Sequence, residues 1–302
     1  MKKRRIIPTF LPLLIGLAVI LGSAGFIPPR TEKYRWDIKQ TGERELKVTV
    51  DAAFGKIRIE RGISTYIMKA DIEADLKRDL AEYIDYTKRD NLGYLNINTT
   101  EGFNKDRHSK DRHSKNISLG ELEKNDWLMQ FTDKLPISFD IELGAGKGEL
   151  DLTGLIVKDL NLSSGASSVV LRFDNPNTET IENMTIETGL SKFKGYGLCN
   201  ANFDRMKFEG GVGSYVLDFS GKLTKEVDVD IQIGLGSIVI WIPEEIGAKI
   251  THEKSFISSI DVPKDFTEED DDIYFSENYE TARGKINMYI EAGLGSVKIK
   301  RQ

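Results

Sequence analysis

The sequence predicts an all-β chain: stacked β-hairpin repeats in a solenoid-like array, of the right-handed β-helix or β-roll kind, behind one N-terminal hydrophobic helix. Three observations carry that prediction. Glycine-centred segments of one pattern recur, among them "LGAGKGEL" (143–150), "FEGGVGSYVL" (208–217), "IQIGLGSIVI" (231–240) and "IEAGLGSVKI" (290–299). The recurring glycines at 144, 165, 189, 211 and 234 stand 21, 24, 22 and 23 residues apart, the scale on which stacked β repeats recur. Apolar residues alternate on both sides of each glycine, as in Val229, Ile231 and Ile233 before Gly234 and Ile238, Ile240 and Ile242 after it. Period two over that length means half-buried strands with one apolar face.

Taken in order, the chain opens with Met-Lys-Lys-Arg-Arg and an uncharged run from Ile6 to Ile27. Residues 1–30 read as a signal peptide or a membrane anchor: small residues from Gly22 to Gly25 suit a signal-peptidase cut, and the run is long enough for one span. In either case the positive end stays cytoplasmic and the rest is exported, to a periplasmic or extracytoplasmic membrane-anchored place in the cell envelope. The 302-residue chain carries −6, and removing the five basic residues of that segment, with no acidic ones, leaves −11. An acidic surface repels nucleic acid and anionic headgroups. The expected partner is therefore an envelope protein or a cell-surface polymer, with membrane contact only through the N-terminal segment. Nothing in the composition specifies an oligomeric state.

Residues 44–100 read as an N-terminal β domain, with strands in "LKVTV", "KIRIE", "YIMKADIEA", "YIDYT" and "YLNINT" and a weak copy of the repeat, "VDAAFGKIRIERG", at Val50–Gly62. Leu76, Leu80, Tyr83 and Ile84 fall at helical spacing, which leaves a short helix open there. Over residues 101–125 apolar residues nearly vanish and the pentamer Asp-Arg-His-Ser-Lys occurs twice, which predicts a polar flexible linker. Residues 126–302 form the predicted β-repeat domain, with its first strand in "DKLPISFDIELGAG".

The Gly-x-Gly segments raise the question of a phosphate-cradling loop. Such a loop launches a helix, because the anion sits on helix-start N–H groups, whereas a strand pattern follows every copy here. The glycines are therefore read as turns. His108 and His113, with Asp106 and Asp111, offer metal ligands, but a five-residue separation in a polar segment preorganises nothing. His252 lacks the second histidine of a zincin helix and reads as a surface strand residue. The acidic stretch from Pro263 to Glu280 lacks the EF-hand spacing and reads as a solvated face. Asp151, Asp174, Asp218 and Asp228 are the candidates for a glycan-cleaving carboxylate pair, yet Asp151 and Asp218 sit where ordinary outward alternation places them. The single Cys199 excludes an intramolecular disulfide and reads as a small buried hydrophobe. Trp127, Trp241, Phe208 and Phe219 are expected to pack. No catalytic, cofactor-binding or metal residue is assigned, and no cofactor is expected.

The segments "LPISFDIELGAGKGELDLTGLIVKDLNLSSGAS", "GLCNANFDRMKFEGGVGSYVLDFSG" and "VDIQIGLGSIVIWIPEEIGAKI" resemble the toast-rack family of bacterial envelope proteins. The ending "YFSENYETARGKINMYIEAGLGSVKIK" is similar to the C-terminal domain of the cell-wall-active-antibiotic response regulators. The resemblance implies an all-β repeat structure in the bacterial envelope with no catalytic residues to carry across. The 21 to 24 residue recurrence behind an export segment leads to the expectation of a non-enzymatic binding, adhesion or scaffold module, with an envelope-stress regulator and, from scaffold type alone, a polysaccharide-active β-helix enzyme as alternatives. Those regulators usually carry several membrane helices, whereas this chain has at most one.

Overall fold

The computed structural model describes residues 31–62, 65–76, 79–99, 125–253, 258–270 and 272–302. The N-terminal hydrophobic helix, the paired histidines and most of the expected linker lie outside the described residues. Residues 31–302 form one compact unit. Among the described residues no helix is long and apolar enough to cross a membrane.

Among the described residues sixteen strands form one sheet. Seven are 16 or 17 residues long: β2 (Glu45–Arg61), β7 (Pro136–Asp151), β8 (Ile156–Arg172), β9 (Ile181–Tyr196), β10 (Phe203–Asp218), β11 (Glu226–Ile242) and β16 (Lys285–Arg301). The shorter ones are β1 (Glu32–Lys39), β3 (Tyr66–Ala74), β4 (Ile84–Arg89), β5 (Leu92–Asn98), β6 (Asp126–Phe131), β12 (Gly247–Glu253), β13 (Ser258–Asp261), β14 (Phe266–Asp270) and β15 (Ile273–Ser276). The long strands stack in the order β2-β7-β8-β9-β10-β11-β16, and every neighbouring pair is parallel.

The array is solenoid-like, as the repeats predict, but its units are not hairpins. Each long strand runs through its glycine, and each half pairs with the corresponding half of the strands above and below. In β11 the first half buries Val227, Val229, Ile231 and Ile233, and the second buries Ile238, Ile240 and Ile242. Between them Gly234 and Leu235 both face outward, so the alternation changes phase. Two outward residues in succession bend the strand, as a bulge does, and turn the two apolar faces toward one another. One unit is thus a bent rung whose two arms enclose a core, and the parallel register repeats it.

Both ends of the stack are finished in the same way. Beyond β2 lies a split rung: β5 pairs with Glu45–Asp51 and β6 with Lys56–Arg61. Beyond β16 lies another, β12 on Lys285–Glu291 and β13 on Gly295–Lys298. Antiparallel strands cap these rungs, β3 on β6, β4 on β5 and β1 on β3 at one end, β15 on β12 and β14 on β15 at the other. Lys33, Arg35, Asp37 and Lys39 line the outer strand β1, the usual protection of an open edge against further pairing.

Strands from the expected blocks 44–100 and 126–302 belong to one sheet. Strand β2 pairs with β5 from the first block and with β6 and β7 from the second. The weak copy at Val50–Gly62 is a full member of the stack, with Gly55 opposite Gly146. The helical spacing at Leu76–Ile84 resolves into a 3-10 turn at Leu80–Glu82, after which Tyr83 and Ile84 are buried.

On the side opposite the glycine corners, return turns carry each rung to the next. Their backbone groups are stitched by asparagines. Asn177 Nδ2 donates to Val157 O (2.6 Å) while Val157 N–H donates to Asn177 Oδ1 (2.9 Å). One turn further on, Asn200 Nδ2 donates to Phe173 O (3.0 Å) and Lys222 N–H to Asn200 Oδ1 (3.0 Å). Buried amides used this way satisfy carbonyls and N–H groups that no ladder reaches.

Candidate functional site

The glycine corners line up because the register offsets equal the glycine spacings. Gly144, Gly165, Gly189, Gly211, Gly234 and Gly293 form one column. Close approach favours glycine there: a Cβ at Gly234 would lie 2.9 Å from Gly211 O, and one at Gly293 2.6 Å from Gly234 O. The column is the floor of an open groove of about 740 Å³ that runs across the rungs.

One wall of the groove is acidic. Glu142, Glu187, Glu209 and Glu291 precede the corner on successive or near-successive rungs, with Ser163 and Gln232 at the same level in β8 and β11. Adjacent rungs are about 4.8 Å apart, and like charges placed opposite one another destabilise a sheet. Lys207 is ion-paired to Glu209, and its own pKa is raised, chiefly by that hydrogen bond.

An apolar row, outside the lining of the groove itself, follows the glycine column on the side away from the glutamates. Leu190, Val212, Leu235 and Leu294 stand opposite one another on β9, β10, β11 and β16 and point outward, with side chains 69%, 45%, 46% and 46% exposed. Ala166 and Ala145 hold the position in β8 and β7, and Phe54 continues it into β2. Among the described residues, Tyr289 is the one exposed large hydrophobic residue off this row. Sequence reasoning gave these residues no role beyond the bend. The signal was present, because the residue after the column glycine is Leu, Val, Leu and Leu in the last copies.

The residues singled out for chemistry fall elsewhere. Asp151 Oδ1 accepts from Thr153 N–H (3.1 Å) and Asp218 Oδ1 from Ser220 N–H (2.8 Å), so both close local turns. Asp174 lies beside Arg172 at 3.4 Å, and Asp228 receives Asn287 Nδ2 at 3.4 Å. No two of the four face each other across the groove. Cys199 is buried, and burial, with Asp218 and Glu245 adding to it, pushes its thiol pKa far up. His252 is buried on β12, not at the surface, because Ala248, Ile250 and His252 share the inner face of that strand. Trp127, Phe208 and Phe219 are buried as expected, whereas Trp241 faces outward under Lys300, whose Nζ lies 4.4 Å from the ring centre. Among the described residues no cluster of His, Cys, Asp or Glu could hold a metal ion.

Residues 27–195 match the family model described as "N-terminal domain of toast_rack, DUF2154". The chain belongs to the toast-rack family. Residues 196–299 match a second model, "Cell wall-active antibiotics response LiaF, C-terminal". The junction between the two models falls between β9 and β10, which pair from Phe203 to Leu217, so both describe parts of one toast-rack stack. No curated protein matches the chain. Among solved structures, a "putative cell adhesion protein" from Clostridium sporogenes is similar at 22% identity and a TM-score of 0.47, over 90% of this chain and 100% of that one. A "putative adhesin" from Bacteroides fragilis is similar at 16% identity and a TM-score of 0.38, over 90% and 99% of the two chains.

Proposed function

We propose that this toast-rack chain is an exported, non-catalytic module of the cell envelope that binds a partner along its corner groove, in adhesion or scaffolding. The outward apolar row from Leu190 to Leu294 carries this reading. The bend asks only for glycine and a residue facing water; a serine would serve as well, and contiguous exposed aliphatics are the mark of an interaction site. Membership of a family named with the bacterial envelope and the structural employment of Asp151 and Asp218 in turns support the same reading.

Site-specific photo-cross-linking in cells tests it. A cross-linking residue at position 235 should capture a partner that one at position 239, on the outer face of an arm, does not. Equal capture at both, or none at 235, refutes the groove as the binding surface. Turnover of any cell-wall glycan that is lost on substituting Asp151 and Asp218 refutes the non-catalytic part. A regulatory role in envelope stress is the second reading, favoured by the match of residues 196–299 to an antibiotic-response domain. Recovery of a membrane histidine kinase as the partner captured at 235 selects it.

A further inference from the structure

We infer that the occupant of the groove is an extended, basic polypeptide segment that alternates cationic and apolar side chains. The inference rests on the groove being the binding surface and names the chemistry it reads. A chain lying along the glycine floor has the glutamate wall on one side and, just past the glycines, the aliphatic row on the other. An extended chain puts successive side chains on opposite sides, so one set meets Glu142, Glu187, Glu209 and Glu291 while the other meets Leu190, Val212, Leu235 and Leu294. The floor has no side chains, so a backbone can lie close to it.

The dimensions agree. From β7 to β16 the groove crosses six rungs, a span of about 24 Å at about 4.8 Å per rung. An extended peptide covers that in about seven or eight residues. Charge selects the occupant. Glu142 and Glu291 hold no hydrogen bond or ion pair among the described residues, and the in-register carboxylates are relieved only by Lys207 at Glu209. A second copy of this chain brings a second acidic row to the interface, and nucleic acid or an anionic lipid surface is repelled. A basic segment removes the repulsion and covers the aliphatic row at once.

The probe is an acetylated eight-residue peptide alternating Lys and Val, titrated by fluorescence anisotropy against the full chain in a zwitterionic detergent. Saturable binding is expected. It should weaken at least tenfold in the triple variant Glu142→Gln, Glu187→Gln, Glu291→Gln, at least threefold in Leu235→Ser, and disappear when Glu replaces Lys in the peptide. All changed side chains point into solvent, and an unchanged melting curve checks that the variants fold. Undiminished binding to the triple variant, equal binding of the Glu peptide, or no binding at all overturns the inference. So does a dimer in sedimentation that Leu235→Ser dissolves, since that assigns the aliphatic row to a second copy. A partner cross-linked at position 235 together with no binding of the basic peptide sinks this inference alone and leaves the groove as a binding surface.

Discussion

Replacing Gly236 with Ala is the sharpest test of a stack built on close-packed corners. Gly236 has φ of +149°, a region that L side chains rarely occupy, and a Cβ there would meet the Gly213 carbonyl and stand 3.1 Å from Gly213 N. The backbone conformation alone costs Ala about 1–3 kcal/mol. Moving β11 off β10 to make room breaks about two ladder hydrogen bonds, at about 1 kcal/mol each. Loss of glycine freedom in the unfolded chain returns about 0.4–1 kcal/mol. The net destabilisation is about 3 kcal/mol, which lowers the melting midpoint of a unit this size by about 6–12 °C.

Gly234→Ala is the matched control. Its φ is ordinary for an L residue and the nearest atom, Gly211 O, is 2.9 Å from the added Cβ, so a shift of about half an ångström relieves it. We expect a cost of about 1 kcal/mol and a fall of about 2–4 °C. Thermal unfolding followed by circular dichroism on both variants decides the matter. A midpoint for Gly236→Ala within about 1 °C of the unmodified protein, or a larger fall for Gly234→Ala than for Gly236→Ala, refutes the reasoning.

The remaining predictions concern the parts that hold the stack together. Asn200→Ala removes the partners of Phe173 O and Lys222 N–H and should cost about 2–4 kcal/mol in urea unfolding. Glu43 is buried, which by itself raises its pKa, but hydrogen bonds from Thr41 N–H, Thr41 Oγ1 and Tyr86 Oη (2.6, 2.5 and 2.7 Å) outweigh burial and bring it down to about 2. A depressed folded pKa means that its stabilisation is complete above about pH 4.5 and is lost as the pH falls toward 2. Acid unfolding should therefore lose about 2–3 kcal/mol across that window, and the slope should flatten in Glu43→Gln. The buried, protonated Cys199 should resist a thiol reagent in the native state and react on unfolding. Labelling of the native protein at the rate of the unfolded chain contradicts the burial.

The stacking of β rungs was legible in the sequence because stacking repeats the same demand at every level. Glycine at the corner and aliphatics on the inner faces recur at 21 to 24 residues whatever the connecting turns do. Hairpin and bent rung share this alternation, so local pattern could not separate them. The difference lies in which residue pairs with which: Ile233 with Ala292 and with Gly210, never with its own second arm. Strand parity explains His252, which local composition placed at the surface and which two apolar neighbours at i−2 and i−4 carry inward. The candidate groove was only half visible, because the apolar residues beside it are scattered in sequence and become a row through the register.

Parallel in-register stacking gives every outward position a row of neighbours about 4.8 Å away, and a row multiplies whatever the position carries. Hydroxyls or mixed charges make a neutral row, as at Asp140, Asn161, Thr185, Lys207 and Asp230, where the signs interleave. The glutamate row breaks this habit, and so does the aliphatic row beside it. Each is unfavourable alone, one through repulsion and the other through exposure. In the rungs that carry both, the glycine column runs between them. A fold free to vary these positions without disturbing its core keeps two unfavourable rows side by side, and the proposed ligand of opposite charge and matching apolarity would relieve both.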